Sequence, residues 1–184
     1  MTLPNILTLA RILAIPFFAI ALWYGHHAQA CIIFVAAGLT DLLDGLIART
    51  WNMGSELGAI LDPAADKLLM TTAFVLMAWP RDHYVAPVPV WVAILAISRD
   101  VVISVFAFTN LARGGSLRGV PSMLGKVTTA TQLVALSLGL LMNAQGPQAW
   151  QRWFNPWMYY LVAALVLGSG IHYFLRTHRQ ERPV

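Results

Sequence analysis

Four aspartates, Asp41, Asp44, Asp62 and Asp66, fall within the stretch DLLDGLIARTWNMGSELGAILDPAAD at residues 41–66 of a largely apolar chain. Asp41, Asp44, Gly45 and Ala48 are offset by 0, 3, 4 and 7 positions, which is one face of a helix. Asp62 and Asp66 are four apart and again share a face. Asp41 sits well inside an apolar run, where an ionised carboxylate costs about 2.5–3.5 kcal/mol on insertion scales. Arg49 and Lys67 are the basic residues nearby, too few to offset four mutually repelling charges. Divalent cations among the carboxylates resolve the conflict, and a hard, all-oxygen donor set suits Mg²⁺ or Mn²⁺. No His or Cys falls within the cluster, which argues against zinc. Two such ions can clamp the attacking and leaving oxygens of a phosphoryl transfer, and a carboxylate within reach of a hydroxyl can take its proton. Gly45, Ala48 and Gly58 are interleaved with the acids. Small residues there admit a ligand close to the backbone or allow close helix packing. Beside the carboxylates they read as a nucleotide pocket next to a metal site.

The elements that must position these groups are membrane helices. The chain has 184 residues, 58% hydrophobic and 11% charged, against about 25% charged in a soluble domain. Its mean hydropathy is +0.65. Six apolar stretches, approximately 3–24, 28–49, 61–80, 87–110, 123–143 and 155–175, are near the roughly 20 residues that a span requires. The expectation is an all-α, polytopic membrane protein with about six transmembrane helices in a single domain, 1–184. Asp41 and Asp44 then fall in the last turns of the second helix and Asp62 at the start of the third, with Pro63 in its first turn. A short loop would bring the four carboxylates together near one membrane surface.

With the N-terminus cytoplasmic, Arg49, Arg113, Arg118, Lys126, Arg176, Arg179 and Arg182 lie on the inner side and Arg81 and Arg152 on the outer. This is a positive-inside pattern and places the carboxylates at the cytoplasmic face of the cell membrane. The net charge of +4 reflects orientation and attraction to anionic headgroups. Basic residues divided among helix ends argue against nucleic acid as a partner. AQAC at 28–31 looks like a signal-peptidase site, but no basic segment precedes the apolar run, so a retained first helix is expected. The lone Cys31 forms no intrachain disulfide. Trp23, Trp79, Trp91, Trp150, Trp153 and Trp157 fall near outer helix ends, as an aromatic belt does. His26 and His27 are expected in the outer loop after the first helix, without a catalytic role.

The spacing D-x2-D-G-x2-A-R-x8-G-x3-D-x3-D, present without gap or substitution, resembles the signature of the CDP-alcohol phosphotransferase (phosphatidyltransferase) family. LPNILTLARI at 3–12, SRD at 98–100, LGKVTTATQ at 124–132 and SGIHYF at 169–174 resemble its bacterial phosphatidylglycerophosphate synthase and cardiolipin synthase branch. The resemblance implies a six-helix membrane enzyme of phospholipid biosynthesis. Such an enzyme transfers a phosphatidyl group from CDP-diacylglycerol to an alcohol and releases CMP. It implies that Asp41, Asp44, Asp62 and Asp66 hold two Mg²⁺ or Mn²⁺ ions and that Asp66 is also the general base. It implies that Gly45, Ala48 and Gly58 line the CDP pocket and that Arg49 holds the donor's phosphates or the loop. Asn5, Thr8 and Arg11 would lie close to the donor, the alternative for Arg11 being a side chain snorkelling at a helix end. Family members are often homodimers.

The acceptor divides the branch. Arg99 and Lys126, inside apolar segments, are the candidates for holding an acceptor phosphate; Arg113 and Arg118 read as interfacial residues. Phosphatidylglycerophosphate synthases carry Arg-Glu in helix four and a second arginine eight positions later, where this chain has Arg99-Asp100 and Ala107. That departure favours phosphatidylglycerol as acceptor, hence a cardiolipin synthase. The commoner task of a compact bacterial member favours glycerol 3-phosphate, which is placed first. Inositol phosphate fits less well, with few basic loop residues. A rival class is an ion or proton transporter. It would place its acids near the midplane in interrupted helices, whereas these cluster at one face and the first, fifth and sixth stretches hold no carboxylate.

Overall fold

The computed structural model describes residues 3–51, 56–81, 84–112 and 123–180. The side chains of 3–5, 41–51, 56–60, 62–63, 107–108, 110–112 and 176–180 lie outside that description. Among the described residues there are six α-helices and no strand: α1 (Leu3–Trp23), α2 (His27–Trp51), α3 (Glu56–Ala78), α4 (Val90–Ala112), α5 (Met123–Gln145) and α6 (Gln151–Gln180). The shortest has 21 residues, about 31 Å at the helical rise, against roughly 30 Å of hydrocarbon. Ile6–Trp23, Met123–Gln145 and Gln151–Leu175 are long and apolar enough to cross a membrane by length and composition. Leu13, Phe17, Ile32, Leu39, Val75, Ile94, Val105, Val134, Leu161 and Leu167 are exposed. An apolar surface of that extent is unsustainable in water and natural against lipid tails. All six tryptophans of the expected belt are likewise exposed.

The bundle is held by small and flexible side chains, as membrane helix packing favours. Ala30, Ala37, Ala73, Ala93, Ala96, Met70 and Met77 are buried together with Phe18, Leu22, Phe34 and Phe74. α1 packs on α2 and α3, α5 on α2 and α6, and α4 on α6 and α3. The α1–α2 turn is a Schellman motif. Gly25 is left-handed at φ 77°, His26 N–H donates to Ala21 O at 2.8 Å, and Gly25 N–H donates to Leu22 O at 3.2 Å. Arg81 closes the same end. It donates to the last α1 carbonyl, Trp23 O, and its guanidinium lies 3.7 Å from the Trp23 ring centroid, a cation at a helix C-terminus and over an indole face.

Asn143 ties α5 to the α3–α4 connection. Its Oδ1 accepts from Val85 N–H at 2.7 Å and Ala86 N–H at 2.9 Å, and its Nδ2 donates to Ala86 O at 3.3 Å. Asn143→Ala orphans both amides. Expected is a loss of about 2 kcal/mol, read as a melting point lower by about 4–8 °C in detergent. An unchanged melting point would show that the bridge carries no stability.

Tyr159 is fully buried and its hydroxyl has no hydrogen-bond partner. A Cβ at Gly139 would stand 2.7 Å from that oxygen and 2.9 Å from Met77 Cε, so a side chain there must displace buried groups, the Tyr159 hydroxyl first. Gly139→Ala should destabilise by about 1–3 kcal/mol. Tyr159→Phe alone should be neutral or stabilising, because it removes an unmet polar group, and it should rescue Gly139→Ala. Additive losses in the double variant would refute the clash.

Several boundaries differ from expectation. α3 begins at Glu56 and not near 61, so Pro63 falls in the helix interior rather than its first turn. Membrane helices tolerate such prolines because neighbouring groups re-satisfy the freed carbonyl. His27 is not in a loop: it opens α2, is buried, and sets its ring 5.3 Å from that of Tyr84. α6 extends from Gln151 to Gln180, beyond 155–175 at both ends.

Candidate active site

Asp41, Asp44, Gly45, Ala48 and Arg49 all lie on α2, and Gly58, Asp62 and Asp66 on α3. The helical offsets read from sequence therefore hold for the backbone. The side chains of all but Asp66 lie outside the described residues. Asp66 is half-buried in α3 next to Ala65, which is fully buried. α2 and α3 pack on one another and both pack on α1. The donors on offer are carboxylate oxygens from two adjacent helices, a set that fits Mg²⁺ or Mn²⁺.

α1 turns a polar edge into the bundle. Thr8 and Arg11, one turn apart, are 0% and 2% exposed. A snorkelling arginine would carry its head to the surface, and this one is enclosed. Asn5 lies one turn earlier on α1, its side chain outside the described residues.

A second polar feature joins α3, α4 and α6. Lys67, the neighbour of Asp66, donates to Ser104 Oγ on α4, and Ser104 in turn donates to the Asp100 carbonyl. Arg99 Nη1 is paired with Asp100 Oδ1 at 2.7 Å, and its Nη2 donates to Ser169 Oγ of α6 at 2.6 Å. The Arg99 Nε remains buried without an acceptor. Arg99 is thus already held by two partners, and its buried Nε–H is still unmatched among the described residues. Lys126 is exposed in the first turn of α5, while Arg113 and Arg118 lie outside the described residues, as does the side chain of Ala107.

Sequence reasoning took Lys67 only as a nearby positive charge and passed over Ser104 and Ser169. Their signal is weak, since a lone serine in an apolar helix reads equally well as a small packing residue. Only the approach of helices distant in sequence reveals them as partners.

Helices of spanning length, packed with small side chains and exposing an apolar surface, define an all-α membrane protein. The CDP-alcohol phosphatidyltransferase family matches residues 1–168, and the chain belongs to that family: it is a CDP-diacylglycerol-dependent phosphatidyltransferase. It is 34% identical over 177 residues to the CDP-diacylglycerol–glycerol-3-phosphate 3-phosphatidyltransferase of Shigella flexneri serotype 5b (strain 8401), covering 93% of this chain and 92% of that one. It shows the same identity and coverage to the protein of that description from Escherichia coli (strain K12).

Proposed function

We propose that this protein makes phosphatidylglycerophosphate, joining the phosphatidyl group of CDP-diacylglycerol to glycerol 3-phosphate at the cytoplasmic face of the bacterial inner membrane. The observation that carries the reading is the unbroken eight-residue carboxylate and small-residue pattern placed on two packed helices, α2 and α3. The acceptor is supported by relatives described as glycerol-3-phosphate 3-phosphatidyltransferases that match over nine-tenths of this chain.

In this proposal the acceptor hydroxyl oxygen bonds to the phosphorus that carries the diacylglycerol. The bond from that phosphorus to the bridging oxygen breaks, and CMP leaves with the electron pair. Asp66 takes the hydroxyl proton. Asp41, Asp44, Asp62 and Asp66 would hold the divalent ions, whose chemistry is to neutralise charge on the transferring phosphate. Gly45, Ala48 and Gly58 leave room for the cytidine nucleotide, with Arg49, Asn5, Thr8 and Arg11 around it. Arg99, through its unmet Nε, and Lys126 hold the acceptor phosphate. The lipid tails leave between helices into the bilayer.

The second reading, a cardiolipin synthase using phosphatidylglycerol, is favoured by Asp100 and Ala107 at the positions that depart from the synthase pattern. CMP release by the purified protein separates the two. CDP-diacylglycerol with Mg²⁺ or Mn²⁺ is offered with glycerol 3-phosphate or phosphatidylglycerol in separate reactions. Release with glycerol 3-phosphate alone is expected. Release with phosphatidylglycerol alone would replace the proposal with the second reading.

A further inference from the structure

The interior stripe of α5 carries a fully buried carboxamide. Gln132 is 0% exposed, and among the described residues neither its Oε1 nor its Nε2 has a hydrogen-bond partner. Its neighbours on the stripe are different. Thr128, one turn before, donates to Leu124 O at 2.7 Å, and Asn143, three turns on, is fully engaged with the α3–α4 connection. A buried donor and acceptor left unmet on one side chain are unfavourable, and a leucine of similar size would carry no such penalty. Among the described residues the amide has no match, which leaves it open to a bound partner.

Helix register locates it. α3 and α5 run the same way through the bundle, and a Cβ at Gly139 would stand 2.9 Å from Met77 Cε. Seven residues back along each helix, two turns, lie Gln132 and Met70; Asp66 is one further turn along α3. A turn rises about 5.4 Å, within the reach of a glutamine side chain. On the other flank, a Cβ at Gly38 would meet Leu133 Cδ1 at 3.3 Å, and Gly38 lies three residues before Asp41 on α2. The carboxamide thus sits about one turn deeper in the bundle than Asp41 and Asp66, beneath the carboxylates.

The chemistry of the partner follows from the amide's two faces. A carboxamide has N–H donors and a carbonyl acceptor and carries no charge. A phosphate accepts only and would leave Oε1 unmet. A metal cation would leave Nε2 unmet. A hydroxyl donates and accepts, and satisfies both. The hydroxyl that reacts belongs to Asp66, so the one available to Gln132 is on the adjoining carbon.

We propose that Gln132 is a specificity-determining residue that binds the secondary hydroxyl next to the attacking one, so that the site selects acceptors with a vicinal diol. This rests on the acceptor chemistry proposed above. The test compares glycerol 3-phosphate with 3-hydroxypropyl phosphate, the same chain without the secondary hydroxyl, in wild type, Gln132→Leu and Gln132→Met. Wild type should favour glycerol 3-phosphate in kcat/KM by about 10–100-fold. Both variants should lose that factor on glycerol 3-phosphate and keep the wild-type rate on 3-hydroxypropyl phosphate, with the KM for CDP-diacylglycerol unchanged. The two variants should melt no lower than wild type, since each removes an unmet amide. Equal losses on both acceptors, or a preference retained in the variants, would overturn the assignment while leaving the activity intact. A wild type that releases no CMP with glycerol 3-phosphate would overturn the activity and the assignment together.

Discussion

Asp66→Asn should reduce CMP release by about 10²–10⁴-fold, the range that a positioned general base contributes. The amide keeps the shape of the carboxylate and its neutral hydrogen bonding but has no affinity for the acceptor's proton at neutral pH. Donor binding should be largely retained, because in the proposed site Asp66 is one of four carboxylates and the nucleotide would lie against the small residues of α2 and α3. The fold should persist as well. Asp66 is half-buried and not part of the apolar core, and removing one of several like charges relieves repulsion. Purified variant and wild type are to be compared for CMP release and for binding of CDP-diacylglycerol. Turnover at the wild-type rate would end the base assignment, and loss of donor binding in parallel with turnover would make Asp66 chiefly a ligand.

Asp41→Asn should be inactive for another reason. A metal clamp on a transferring phosphate supplies several kcal/mol of transition-state stabilisation, and each 1.36 kcal/mol is tenfold in rate. Removing one ligand charge should therefore cost about 10³-fold. Excess Mn²⁺ should restore only part of it, because raising the ion concentration refills a weakened site without returning its geometry. In wild type, a chelator should abolish CMP release and added Mg²⁺ or Mn²⁺ should restore it. Wild-type activity that survives the chelator, or complete rescue of Asp41→Asn by Mn²⁺, would remove the metal role from this residue. The variant should keep its melting point, since Asp41 carries a charge into an apolar stretch of the sequence, and the neutral amide costs less there.

Much of this protein was legible in its sequence because the governing effects are local. Apolar runs near 20 residues commit a chain to membrane helices, since no other open structure satisfies its backbone in lipid, and all six appear in the structure. Carboxylates three and four apart share a helix face whatever the helix packs against. The six tryptophans of the expected belt are exposed. Boundaries were less secure: Pro63 looks like a first-turn residue by propensity, yet α3 already starts at Glu56, since the preference of one residue is a weak guide to where a helix begins.

Tertiary structure alone decided which polar groups are spent and which remain. Arg99 was read as a candidate for holding an acceptor phosphate; its bond to Ser169, 70 residues away, depends on how α4 meets α6. Arg11 could have snorkelled, but the packing of α1 on α2 and α3 encloses it. Gln132 and Asn143 lie on the same buried face of α5. The loop at Val85 and Ala86 satisfies Asn143, while none of the described residues satisfies Gln132. Periodicity places a side chain on a face and is silent on what that face meets. Whether a buried polar group is a structural tie or a binding group is decided by partners far along the chain, which only the packed bundle brings into contact.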